Sequence, residues 1–195
     1  MLNNIYFLTP ELLLILVLLI ILTHGIVYQE KRQEIISLNF SLLALVSLII
    51  LFFSQLLCPH NIIISYSLLC VTPFTQTIKL LLTISTTIVL IFSRTVLNSK
   101  KIKEYEFILL VLLALLGMLL LVSAQDLIIF YLSIELLSLS VYILASIQKN
   151  SELSTEAGLK YFILGSLSSG LLLFGSALLY LFTGETNLEG IFNVI

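Results

Sequence analysis

Long apolar runs alternate with short polar segments along this chain, and that alternation predicts membrane-spanning helices. Residues 9–28, 38–57, 75–97, 107–122, 127–147 and 156–183 are apolar almost throughout. Most approach the ~20 residues that a helix needs to cross a bilayer's hydrocarbon core. The segments between them are polar: charged loops at 29–34 and 98–106, a tight turn at 124–126 and a polar turn at 148–160. Residues 58–75 differ, forming a connector without acidic, Lys or Arg residues between Pro59 and Pro73. Its β-branched and aromatic stretch at 62–66 suits a strand or short hairpin on the membrane surface. The pattern predicts an all-α polytopic membrane protein with six transmembrane helices.

Local signals give these spans their ends. Thr9, Pro10 and Glu11 read as N-cap, first-turn proline and an acid at the positive end of the helix dipole, and Glu11 is assigned no chemistry. Lys79 and Arg94 each lie a few residues inside the third span, where snorkelling accounts for both, although Lys79 is the only basic residue near its side. His24 near the end of the first span reads as hydrogen-bonded in place. Asp126 is placed to cap the fifth span, Ser154 and Thr155 to cap the sixth, and Gly184 to stop it. Gly158, Gly165, Ser166, Ser169 and Gly170 form small-xxx-small pairs that allow close helix approach. Residues 185–195 read as a short acidic tail.

The candidate chemistry lies in residues 127–147, whose only charge, Glu135, is the ninth of 21 residues and so lies near mid-membrane. A carboxylate there costs about 2.5 kcal/mol or more on insertion scales and needs a partner, a hydrated cavity or a proton. Tyr131, Glu135, Ser138 and Tyr142 are spaced four, three and four apart, which puts them on one helix face. Two readings follow: helix glue through hydrogen bonds, or a proton or ion relay.

Composition narrows the class. Residues are 59% hydrophobic and only 10% charged, far from the ~25% charged of a soluble domain. A net charge of −2 gives no reason to expect a nucleic-acid partner, and two cysteines with two histidines offer no metal or heme site. Cys58 and Cys70 are expected as free, half-buried thiols. The start has neither a basic n-region nor an Arg-rich amphipathic stretch, so neither a signal peptide nor a transit peptide is expected. Lys31, Arg32, Arg94, Lys100, Lys101, Lys103, Lys149 and Lys160 fall on or near the loops after the first, third and fifth spans, against Lys79 alone on the other side. The positive-inside rule then places those loops in the cytoplasm or matrix and both termini outside.

Residues 104–147 and 154–187 also carry a resemblance. The stretch EYEFILLVLLALLGMLLLVSAQDLIIFYLSIELLSLSVYILAS resembles the fourth and fifth helices of the antiporter-like subunits of respiratory complex I. The stretch STEAGLKYFILGSLSSGLLLFGSALLYLFTGETN is similar to subunit 2, or N, of that enzyme. Ile134, where paralogous subunits carry tryptophan, agrees, as do Thr9-Pro10-Glu11 and Val71-Thr72-Pro73-Phe74. The resemblance implies the N-terminal portion of an inverted-repeat bundle: residues 1–103 supply three leading helices with an outer connector at 58–75, and residues 104–195 the first three helices of the first repeat. It implies a non-redox, proton-translocating subunit of NADH:ubiquinone oxidoreductase in which Glu135 pairs with a lysine on a later helix, with Tyr131, Ser138, Tyr142 and Lys160 as secondary path residues. That lysine's helix is expected on a second polypeptide. NADH, flavin, iron–sulfur clusters and ubiquinone are expected on other subunits, other membrane-arm subunits and lipids as partners, and the mitochondrial inner membrane as the location, with both termini on the intermembrane-space side. A cation/proton antiporter subunit and a purely structural membrane subunit are the alternatives.

Overall fold

A computed structural model describes residues 9–27, 46, 48, 49, 52, 64, 65, 68–100 and 102–194. Helix α1 is Thr9–Val27, followed by the two-residue strands β1 (Ile64–Ser65) and β2 (Cys70–Val71). Helices α2 (Pro73–Lys100), α3 (Glu104–Ser123), α4 (Leu127–Ala145), α5 (Glu152–Thr183) and α6 (Leu188–Val194) complete the described elements. Four of them, α2 to α5, are long and apolar enough to cross a membrane, and α1 is a slightly shorter apolar helix. Residues 46, 48, 49 and 52, in the second expected span, are helical, and Leu48 is buried; the rest of that span lies outside the described residues.

Helix α3 is the core element. Its Leu112, Leu115 and Leu119 have no solvent exposure, and it packs against α1, α2 and α4. Leu14 and Ile21 of α1 and Leu90 of α2 join the same buried cluster. Contact between α3 and α4 is close because Gly117 lies directly on the α4 backbone. A Cβ there would come within 2.9 Å of the Leu137 nitrogen and 3.0 Å of the Ser133 carbonyl oxygen. Helix α5 packs only on α4 and α6 to any extent among the described helices, and no residue of its most apolar stretch is buried.

The helix ends follow their capping chemistry. Before α2, Thr72 and Thr75 exchange bonds: the Thr75 N–H donates to Thr72 Oγ1 and the Thr72 N–H to Thr75 Oγ1, with Pro73 at the first turn. Asp126 caps α4 as expected, accepting from the Ile128 N–H at 2.8 Å. Helix α5 begins earlier than Ser154 and Thr155 suggested, because Ser151 is the cap and accepts from the Ser154 N–H. Ser154 instead donates across the turn to the Ala145 carbonyl. Gly184 ends α5 at φ 71°, a left-handed conformation that glycine adopts without steric cost. The tail expected after it contains a further helix, α6.

The expected surface hairpin is present, with Ile64 opposite Val71 and Ser65 opposite Cys70. It belongs to a backbone network that ties three segments at one end of the bundle. The Gln125 N–H donates to the Leu68 carbonyl, the Leu188 N–H to Gln125 and the Leu127 N–H to Thr186. The Thr186 hydroxyl donates to the second Asp126 oxygen at 2.6 Å. Cys70 is a free, half-buried thiol, and Cys58 lies outside the described residues.

Candidate functional site

Helix α4 presents two polar faces. Ser133 and Ser140 are buried, and their hydroxyls donate to carbonyls of their own helix four residues back. Gly117 lies on the Ser133 carbonyl, so this face is the one that meets α3. The other face carries Tyr131, Glu135, Ser138 and Tyr142, the first three half-buried and Tyr142 buried.

Glu135 is the chemically open member of that face. Its Oε2 is buried and has no hydrogen-bond partner among the described residues. Ser138 does not supply one, since its hydroxyl donates to the Glu135 backbone carbonyl at 3.0 Å. Tyr131 lines a cavity of about 340 Å³ between α4 and α5, together with Leu127, Leu173, Ser176 and Tyr180. Tyr142 is held by α5: its ring meets Tyr161 edge-on at 5.0 Å, and its hydroxyl lies in the space above Gly165. The four residues thus share one face without forming a hydrogen-bonded chain. Lys160 is exposed on α5 and pairs with Glu156 at 2.5 Å, one helical turn away; among the described residues it makes no ion pair with Glu135.

A second intramembrane acid was missed by sequence reasoning. Glu11 of α1 receives Lys79 of α2 at 2.5 Å, with the two side chains 4% and 2% exposed. Lys79 therefore does not snorkel, and Glu11 does more than favour a helix dipole. Both lie near the hairpin end of their helices, at depths that differ by about four residues, or ~6 Å, within reach of a lysine stem. The available signal was that Lys79 had no basic neighbour on its side, while Glu11 was the one acid inside the first span.

Taken together, apolar helices around a leucine layer, an acid in mid-span and a buried ion pair define a polytopic membrane protein with intramembrane charge. The family described as NADH:quinone oxidoreductase/Mrp antiporter, TM, matches residues 124–195, which hold α4, α5 and α6. Over 186 residues the chain is 41% identical to NADH-quinone oxidoreductase subunit N of Azorhizobium caulinodans, covering 95% of this chain and 38% of the relative. It is 39% identical over 187 residues to NADH-ubiquinone oxidoreductase chain 2 of Marchantia polymorpha, covering 92% and 38%. A chain of respiratory complex I from Thermus thermophilus with bound Aureothin superposes with a TM-score of 0.76 at 28% identity, over 92% of this chain and 38% of that one. By class, then, this is a polytopic membrane protein similar to antiporter-like membrane subunits. In particular, it is similar over nearly its whole length to subunit N, or chain 2, of NADH:quinone oxidoreductases, and it spans about 38% of the length of those relatives.

Proposed function

We propose that this chain is a proton-translocating, non-redox part of the membrane arm of an NADH:ubiquinone oxidoreductase in the mitochondrial inner membrane. The observation that supports this most is the unpartnered, buried Oε2 of Glu135 on an apolar helix. A carboxyl group on an apolar helix with an open acceptor is an incomplete site, and the similarity to subunit N and chain 2 gives the chemistry that would complete it. On this reading the counter-charge is a lysine from a helix outside these 195 residues, packed where α5 presents its open apolar face. Separating and rejoining the two charges then moves a proton. Tyr131, Ser138 and Tyr142 border the hydrated path, and Lys160 stands at its basic-loop side. NADH, flavin, iron–sulfur clusters and ubiquinone bind on other subunits.

The test is native purification of the assembly, identification of every co-migrating chain by mass spectrometry, and proton uptake by vesicles holding Glu135→Gln. NADH-oxidising subunits, a lysine-bearing membrane helix among the identified peptides and a pumping loss of at least severalfold without loss of assembly are expected. Co-migration with cation-antiporter subunits alone would place the chain in an antiporter. Normal pumping by an assembled Glu135→Gln variant would leave Glu135 as helix glue.

A further inference from the structure

The Glu11–Lys79 pair is underfilled for a purely structural ion pair. An ammonium has three donors and a carboxylate about four acceptor positions, and a buried pair offsets its desolvation only when most of these are used. Here the contact is Nζ to Oε1 at 2.5 Å, and Glu11 Oε2 is buried with no hydrogen-bond partner among the described residues.

On α2 the pair belongs to a row of buried polar residues. Gln76, Lys79, Thr83 and Thr86, spaced three, four and three apart on α2, are 5%, 2%, 1% and 6% exposed, so a buried polar file runs inward from the hairpin end. It is about 15 Å long at ~1.5 Å per residue, half a bilayer core. The buried α2 residues beyond it are the apolar Leu90 and Leu97, and on the neighbouring helix α3 stand the fully buried Leu112, Leu115 and Leu119. Among the described residues, the file therefore meets only apolar side chains toward the opposite membrane face and toward α4.

We propose that Glu11 is a second proton-binding site within the membrane, paired with Lys79 and loaded from the hairpin side along this file. A hydronium ion gives its proton to Glu11 Oε2: an O–H bond forms, water is released, and the Lys79 ammonium is left beside a neutral acid. With no polar continuation of the file among the described residues, the proton leaves the way it came, and the site stands apart from Glu135. Titratable groups on the described elements packed against α1 and α2 lie elsewhere. Arg94 of α2 and His24 of α1 are 15 and 13 residues further along their helices, about 20 Å away, and Glu104, Tyr105 and Glu106 begin α3 at the far end. Asp126 is engaged by the Ile128 N–H and the Thr186 hydroxyl.

The intact assembly in native membranes is treated with a hydrophobic carbodiimide, which adds to protonated carboxyl groups, and adducts are located by peptide mass spectrometry. Adduct at Glu11 is expected to rise about tenfold per unit fall in pH on the hairpin side until it saturates. Lys79→Met is expected to raise the adduct several-fold at neutral pH, because loss of the opposite charge favours the protonated acid. Infrared difference spectra after a pH jump provide a reading independent of reagent access, and should show a carboxyl band that Glu11→Gln removes. A Glu11 that gives neither pH-dependent adduct nor such a band in the otherwise unmodified assembly overturns the proposal. These readouts do not involve pumping, so they stand or fall separately from the role of Glu135.

Discussion

At the scale of single residues, what a side chain touches separates the polar positions that look alike in sequence. Tyr131 and Tyr142 share a face with Glu135, yet Tyr142 is wedged into the space that Gly165 leaves open. Gly165→Ala should therefore drive the added methyl into the Tyr142 ring and lower the thermal midpoint of the assembly, by the ~1–3 kcal/mol of an overpacked contact. Shortening the opposing side chain with Tyr142→Leu in that background should recover part of the loss. A Gly165→Ala assembly as stable as the parent would show that Tyr142 is free to move. The stripe itself was legible, because helical spacing alone aligns residues 131, 135, 138 and 142. The ion pair was not legible, since spacing says nothing about two helices 68 residues apart in sequence. Only packing reveals that Lys79 points inward. Cys70 offers a pH test at the same scale: burial, and then the nearby Glu189 carboxylate, push its thiol up. The reactive thiolate is thus scarce at neutral pH. In a Cys58→Ser background, maleimide labelling of Cys70 should increase by about tenfold per pH unit through the alkaline range, and faster labelling at fixed pH is expected in Glu189→Gln.

At the scale of elements, the apolar runs gave helices α1 to α5 their places, because a run of ~20 apolar residues has few alternatives to a spanning helix. Boundaries moved where capping decided them, as with Ser151 at the start of α5, and α6 was hidden in a seven-residue segment too short to show a period. Which helix lies at the centre was not legible either, since α1, α3 and α4 are nearly equal in apolar content. Gly117 is one reason that α3 holds the centre, because it lets the α4 backbone approach. Gly117→Leu should separate the two helices at a cost of about 3 kcal/mol or more, read as a lower thermal midpoint and less assembled complex on native gels. Unlike the clash at Gly165, this one meets backbone atoms of Ser133 and Leu137, so Leu137→Ala should not relieve it. Rescue by Leu137→Ala would mean that the helices part by side-chain packing alone.

At the scale of the whole molecule, sidedness follows from how charge and hydrogen bonding divide the two ends of the bundle. One end carries the hairpin, the Asp126–Thr186 contact and the backbone network from Leu68 to Leu188, and no Lys or Arg except the buried Lys79. The other carries Lys103 and Lys149, which share Glu106 at 3.4 Å each, with Lys100 and Lys160 close by in sequence. Eight basic residues on one side against one on the other predict that the hairpin end faces away from the cytoplasm or matrix. The inward turn of Lys79 strengthens that count, since a lysine paired with Glu11 contributes no net charge to its loop. Cys70, half-buried in β2, reports this directly. With Cys58 replaced, a membrane-impermeant maleimide at alkaline pH should label Cys70 when the outer face of the membrane is exposed, and leave it unlabelled in inverted vesicles until detergent is added. The reverse pattern would turn the bundle over. It would also put the polar file of Glu11 and Lys79 on the side of the cytoplasm or matrix, so that the same labelling fixes the side from which a proton on Glu11 is drawn.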